Sequence, residues 1–245
     1  MITNENNIFF FSLGDKYGLH ENQITDITKS DFSIYCRFKP NHDLIDKKLK
    51  EHGTCEGAIV AKNGQHFGIF FNTFNANGKT NRTVSFTFWQ HDEKLGKDVQ
   101  TNLEFYYDKE DRYYEVMLSH DIEKKEFTLK EGIESQTVTY DNIIDYSDSY
   151  TWIGAATLIS DDYQSVFYGD IDKLHIQRSV MNEEYATQFF QSYPTFLKNI
   201  ENDDTLYNVF SSDFKKLTYY KILDMSGNGY HPILFKNEWT NDSNE

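Results

Sequence analysis

The stretch Thr83-Val-Ser-Phe-Thr-Phe-Trp-Gln90 alternates so that Val84, Phe86 and Phe88 fall on one face of a strand, with Ser85, Thr87 and Trp89 on the other. An indole on a polar face is a platform for the flat, apolar side of a sugar ring, provided amide or imidazole groups nearby can hydrogen-bond its hydroxyls. His66 and Asn72 alternate with Phe67, Ile69 and Phe71 on a strand expected beside it, so Trp89, His66 and Asn72 form a candidate ligand-binding set. A second group is built from carboxylates. Asp170 and Asp172 are two positions apart and share one face of a strand. The turn Asp224-Met-Ser-Gly-Asn-Gly229 concentrates side-chain and carbonyl oxygens, the donors that a hard cation such as calcium gathers roughly six to eight at a time. A plainer reading stands beside each. Aromatics are core by default and Trp89 would then lie under a loop; Asn and Gly supply left-handed turn geometry, and Asp170 is a solvated charge.

These residues need a scaffold of strands. Period-two patterning with β-branched and aromatic residues predicts strands at Ile8–Leu13, Asp31–Phe38, Gly57–Ala61, His66–Phe74, Thr83–Gln90, Tyr113–His120, Glu126–Lys130, Tyr150–Gly154, Gln164–Tyr168, Ile171–Gln177, Thr218–Leu223 and Pro232–Phe235. Lys62-Asn63-Gly64 supplies a hairpin turn between the third and fourth. Asp92–Gln100 and Asp108–Arg112 read as polar loops, as does the charged run Asp46-Lys-Lys-Leu-Lys-Glu51. One short helix is predicted after Val180, with Asn182 as N-cap and Pro194 past its end, and a second lies within Asp203–Phe214. Short strands at roughly ten-residue spacing with little helix predict an all-β, two-sheet antiparallel jelly-roll sandwich. Residues 1–240 form a single domain on this reading, with 241–245 as a disordered tail.

Composition narrows the function classes. The 245 residues carry 24 Lys+Arg against 39 Asp+Glu, a net charge of −15. That balance excludes a nucleic-acid partner and an anionic membrane surface, since both require clustered cations. The apolar runs Ile8–Leu13 and His66–Phe74 are far shorter than the roughly 18–20 residues of a spanning helix, so no membrane insertion is expected. Met1-Ile-Thr-Asn-Glu-Asn-Asn shows neither the basic start nor the apolar run of a signal peptide. The 17 Tyr, 20 Phe and 3 Trp supply a large core despite a mean hydropathy of −0.67. Cys36 and Cys55 allow one bridge or two free thiols, and both remain open. Asn81-Arg-Thr83 and Asn241-Asp-Ser243 fit the glycosylation triplet, a pattern that also arises by chance.

Phe167-Tyr-Gly-Asp-Ile-Asp-Lys-Leu-His-Ile176, followed by Gln-Arg-Ser-Val-Met-Asn-Glu-Glu-Tyr-Ala186, resembles the late Gly-x-Ile-Asp-x-x-x-Ile strand and acidic short helix of the concanavalin A-like lectin/glucanase superfamily, in its laminin G-like (pentraxin-like) branch. Asp224-Met-Ser-Gly-Asn-Gly-Tyr-His231 is similar to that branch's Asp-x-Ser-Gly-Asn-Gly turn, and the likeness spans roughly residues 5–236. The turn stands near the end here and near the start in the family. A circular permutation, or a terminal strand supplied from the opposite end, would account for this, because a sandwich brings its termini together. The resemblance implies a calcium site at Asp170, Asp172, Asp224 and Asn228. Glucanases of this fold carry Glu-x-Asp-x-x-Glu; the nearest segment here, Asp121-Ile-Glu-Lys-Lys-Glu126, reads as a solvated hairpin turn, so no enzyme is expected. The expected function is a non-catalytic recognition or adhesion module that binds a glycan or a surface protein, within a larger extracellular, cell-surface or virion-surface protein. A structural domain decorating an assembly and a glycoside hydrolase are the alternatives, and the oligomeric state stays open.

Overall fold

The computed structural model describes residues 9–13, 30–62, 67–144, 151–159, 162–177, 179–180, 191, 208–213 and 233–236. In chain order the elements are β1 (Phe9–Leu13), β2 (Phe32–Pro40), α1 (His42–His52), β3 (Thr54–Lys62), β4 (Phe67–Ala76), β5 (Lys79–Asp92), β6 (Lys97–Tyr107), β7 (Tyr114–Asp121), β8 (Glu126–Glu131), β9 (Glu134–Thr139), β10 (Asn142–Ile143), β11 (Thr151–Ile153), β12 (Thr157–Ile159), β13 (Asp162–Gln164), β14 (Gly169–Gln177), β15 (Asn208–Asp213) and β16 (Ile233–Lys236). They build two antiparallel sheets. The first runs β10-β5-β4-β3-β11-β1-β16, with β6 on the other edge of β5; the second runs β15-β14-β2-β7-β8-β9. β12 and β13 form a separate hairpin.

The alternating apolar residues decide which faces meet. Phe32, Ile34, Cys36 and Phe38 of β2 turn inward with Val116, Leu118, Phe127 and Leu129, against Phe67, Ile69, Phe71, Val84, Phe86 and Phe88 from the first sheet. Phe127 ties the layers together, with ring centroids 4.7 Å from Phe88 and 4.9 Å from Phe86. Such aromatic contacts add about 0.5–1.5 kcal/mol each beyond burial. Both cysteines are free and buried in this core, which settles the open question in favour of thiols. Burial pushes the Cys55 thiol up to about 11, leaving it unreactive at neutral pH. β1 lies between β11 and β16, so the first and last described strands pair side by side, Phe10 opposite Phe235.

Four expectations need correcting. The charged run Asp46–Glu51 is not a loop but part of α1. Asn41 caps it through Oδ1, which accepts from the Leu44 amide at 3.2 Å, and Gly53 at φ 78° ends it. Ile45 and Leu49, one turn apart, bury a narrow apolar stripe that the surrounding charges conceal. The Asp92–Gln100 loop is instead a tight turn followed by β6, an edge strand whose polar outward positions mask Leu103 and Phe105 inside. Within Asp203–Phe214 lies strand β15, paired from Asn208 to Asp213 with β14, where an edge place in the sheet overrides local helix propensity. The expected strand at Gln164–Tyr168 is not formed: β13 ends at Gln164, and beyond it lies a single parallel bridge between Val166 and Ala58. The helix after Val180, the strand Thr218–Leu223 and the tail 241–245 lie outside the described residues.

Candidate functional site

The outward face of the first sheet is assembled by the register of β3, β4, β5 and β6. Glu56 lies opposite Asn72, Asn72 opposite Thr83, and Thr83 opposite Tyr106, one row across four strands. The next row places Ala58, Phe70, Ser85 and Glu104 side by side. A third holds Ala61, Gly68, Thr87 and Asn102, with Trp152 of β11 beside Ala61. Gly68 keeps this floor flat, since a side chain there would meet the Val60 carbonyl at 2.5 Å. The hydroxyls of Thr83, Ser85 and Thr87 line the β5 part of the floor, Ala58, Ala61 and Phe70 form a buried apolar cluster on β3 and β4, and Glu104 and Tyr106 stand at the β6 side.

The hydrogen bonding of the floor is incomplete. Asn72 donates from Nδ2 to Ser85 Oγ at 3.0 Å, while its own Oδ1 and the neighbouring Thr83 Oγ1 are buried without a hydrogen-bond partner. Buried polar atoms are nearly always paired, and an unpaired one costs about 1–3 kcal/mol. Glu56 accepts from Ser165 Oγ at 2.7 Å, yet burial pushes its carboxyl up against that bond. Tyr106 is 65% exposed, and its hydroxyl donates to Glu104 Oε2 at 3.2 Å. Glu104 in turn is locked at its backbone: its amide and carbonyl, facing the open edge of β6, are held by the Gln136 side chain at 3.0 and 2.6 Å.

Trp89 and Asn72 share this face, as the alternation of β4 and β5 requires, and Trp89 is half-buried. Six positions separate Trp89 from Thr83 along β5, roughly 20 Å at about 3.3 Å per residue, so the two share a face without forming a single contact point. His66 lies outside the described residues. Tyr106, Thr83, Glu56 and Glu104 were not singled out from the sequence. The signal was present in the alternation of Gln100, Asn102, Glu104 and Tyr106 with Leu103 and Phe105, hidden by reading the start of β6 as loop.

The carboxylates of β14 belong to the second sheet, beside Arg37 and Lys39 of β2. A bulge between Ile171 and Lys173 makes Asp172 the extra residue of the ladder. Asp172 is fully buried and forms an ion pair with Arg37, which also bridges Glu115 at 3.1 Å and lies 4.1 Å over the Tyr113 ring. Asp170 is half-buried and stands opposite Lys39. With Asp172 already neutralised by a guanidinium, these two do not fit a shared hard cation. Asp224 and Asn228 lie outside the described residues, among which no group of three or more His, Cys, Asp or Glu could hold a metal ion.

Among the described residues, neither of two candidate carboxylate pairs forms a paired acid and base. Asp121 lies opposite Glu126 across a hairpin, but its oxygens cap the turn, accepting from the Lys124 amide at 3.0 Å and the Lys124 ammonium at 2.6 Å. Those bonds hold its carboxyl below the usual range, the reverse of what a general acid requires. Glu56 and Glu104 stand three strands apart, roughly 14 Å at about 4.8 Å per strand, beyond the separations of about 5–9.5 Å used for glycoside hydrolysis.

No protein-family model and no curated sequence matches the chain. Among solved structures, a Bacteroides ovatus protein described as a candidate carbohydrate binder superposes with a TM-score of 0.55 over 94% of this chain and 59% of its own, at 11% identity. The fold is concanavalin A-like. The CBM40 module of the Ruminococcus gnavus IT-sialidase matches over 75% of this chain and 91% of its own, at 14% identity and a TM-score of 0.49. A SAP-like pentraxin of Limulus polyphemus matches over 75% and 82%, at 7% identity and 0.41. At such identities the likeness carries the fold and nothing finer, because this scaffold hosts many functions.

Proposed function

We propose that the chain is a non-catalytic glycan-binding module acting through the outward face of β3 to β6. The observation that carries this reading is the pair of buried, unpartnered oxygens, Asn72 Oδ1 and Thr83 Oγ1, beside the exposed ring of Tyr106. Sugar hydroxyls donate and accept, so one ligand can complete both groups while its ring stacks on Tyr106 and extends toward Trp89. Tyr106 neighbours Thr83 directly across the ladder, so its exposed ring stands beside the buried Thr83. On this reading the module belongs to a larger extracellular, cell-surface or virion-surface protein.

Glycan-array screening followed by calorimetry, in calcium and in chelator, tests the proposal. Tyr106→Ala and Asn72→Ala should each weaken binding by about tenfold or more, equivalent to about 1.4 kcal/mol, with an unchanged unfolding midpoint for Tyr106→Ala. Absence of binding under both conditions, or binding indifferent to both substitutions, would sink it.

A further inference from the structure

We infer that the glycan taken by this face is uncharged, and that sialylated, uronic or sulfated chains are rejected; the inference rests on the glycan-binding reading above. Lys79 shares the outward parity of Thr83 but stands at the far end of the β4–β5 hairpin, opposite Ala76; among the described residues, the outward positions of β3 to β6 from the row of Asn72 and Thr83 to the row of His91 include no lysine or arginine. The ionisable groups there are the carboxyls of Glu56, Asp98 and Glu104, together with His91, which is bonded to Asp98 at 2.9 Å. Lys62, Arg82 and Lys97 of the same strands have inward parity: Lys62 is buried opposite Phe67, and Arg82 is tied to Asp46 at 2.8 Å.

Recognition of a carboxylate or sulfate calls for a guanidinium fork or an ammonium, which give the short charge-assisted bonds that repay desolvation of the anion. Carboxylates do the opposite. Glu104, with its backbone fixed by Gln136, is an acceptor aimed at the same edge as Tyr106, and it pairs with ligand hydroxyls as donors. The floor amide and hydroxyls of Asn72, Ser85 and Thr83 add neutral donors and acceptors. The chemistry is complementary to a polyol and repulsive to an anion, and the net charge of −15 adds a field of the same sign.

The test uses matched oligosaccharides that share one core and differ only in a terminal sialic acid or sulfate, titrated against the whole chain and against Tyr106→Ala and Glu104→Gln. The neutral core should bind more tightly than its anionic counterpart by about five- to tenfold at low ionic strength, a gap that narrows as salt screens the repulsion. Glu104→Gln should narrow the same gap while Tyr106→Ala weakens both ligands. Preference for the anionic ligand, with binding still lost in Tyr106→Ala, would overturn the charge selection and leave the glycan-binding reading standing. Binding of neither ligand, or binding untouched by Tyr106→Ala, would overturn both.

Discussion

Arg37 is held on three sides, by Asp172, Glu115 and the ring of Tyr113, and Asp172 has no exposure through which water could replace it. Removing Asp172 leaves a guanidinium under-compensated beside the buried bulge of β14. Asp172→Ala should therefore cost about 2–4 kcal/mol in urea denaturation, and the double variant Arg37→Met with Asp172→Leu should recover more than half. His175, also fully buried, is held down at about 4 by burial, against the opposing effect of its hydrogen bond with Gln177. The unfolded chain takes up this proton near pH 6.5 while the folded chain does not. Stability from the neutral imidazole is thus fully present above about 6.5 and falls as pH drops toward about 4, with a slope approaching about 1.4 kcal/mol per unit. Glu56 and Glu115, whose carboxyls burial raises, tilt the profile the other way, but they cancel in a comparison of wild type with His175→Gln. The wild type should lose stability more steeply between pH 6.5 and 5 than the variant; parallel profiles would show that His175 does not titrate across unfolding. At this scale the sequence revealed that Trp89 and Asn72 share a face. It did not reveal that Asp172 is an internal counter-ion, because a bulge is a property of two strands in register and neither strand announces it alone.

Elements fail or succeed by their edges. β6 ends the first sheet, and the Gln136 amide of β9 substitutes for a neighbouring strand by satisfying the Glu104 backbone on that open side. Gln136→Ala should cost about 1 kcal/mol and raise the tendency to associate through β6, seen as concentration-dependent light scattering; Gln136→Glu should keep one of the two bonds and fall between. Asn41→Ala removes the cap of α1 and should lower stability by about 1 kcal/mol, a loss that urea denaturation resolves. Neither device was legible. α1 shows two buried apolar residues among charges, and β6 opens with Lys, Asp and Gln, so a reading by average polarity takes both for loop. The central strands were readable because both periodicity and β-branched or aromatic content agreed there, most clearly in β2, β4 and β5.

The whole molecule must hold 39 acidic and 24 basic side chains on one fold, a net charge of −15. A compact chain of this length has a radius of gyration of about 18 Å. At about 10 mM ionic strength the screening length is about 30 Å, so nearly all of the excess charge repels itself across the fold; at about 0.2 M it is below about 8 Å, and only neighbours interact. Ion pairs oppose this trend, since salt weakens them as well. Most of those described are exposed, such as Lys39 with Asp111 and Lys124 with Asp121, and are worth about 0–1 kcal/mol each. The more enclosed links, Arg37 with Asp172 and Arg82 with Asp46, are shielded from added ions and change little. Long-range repulsion is therefore the term that salt removes most completely. Raising sodium chloride from about 10 mM to about 0.2 M should stabilise the fold by about 1 kcal/mol, an upward shift of about 2–4 °C in the midpoint of calorimetric unfolding. A downward shift would mean that the exposed pairs, and not the excess of carboxylates, set the electrostatic balance of the sandwich.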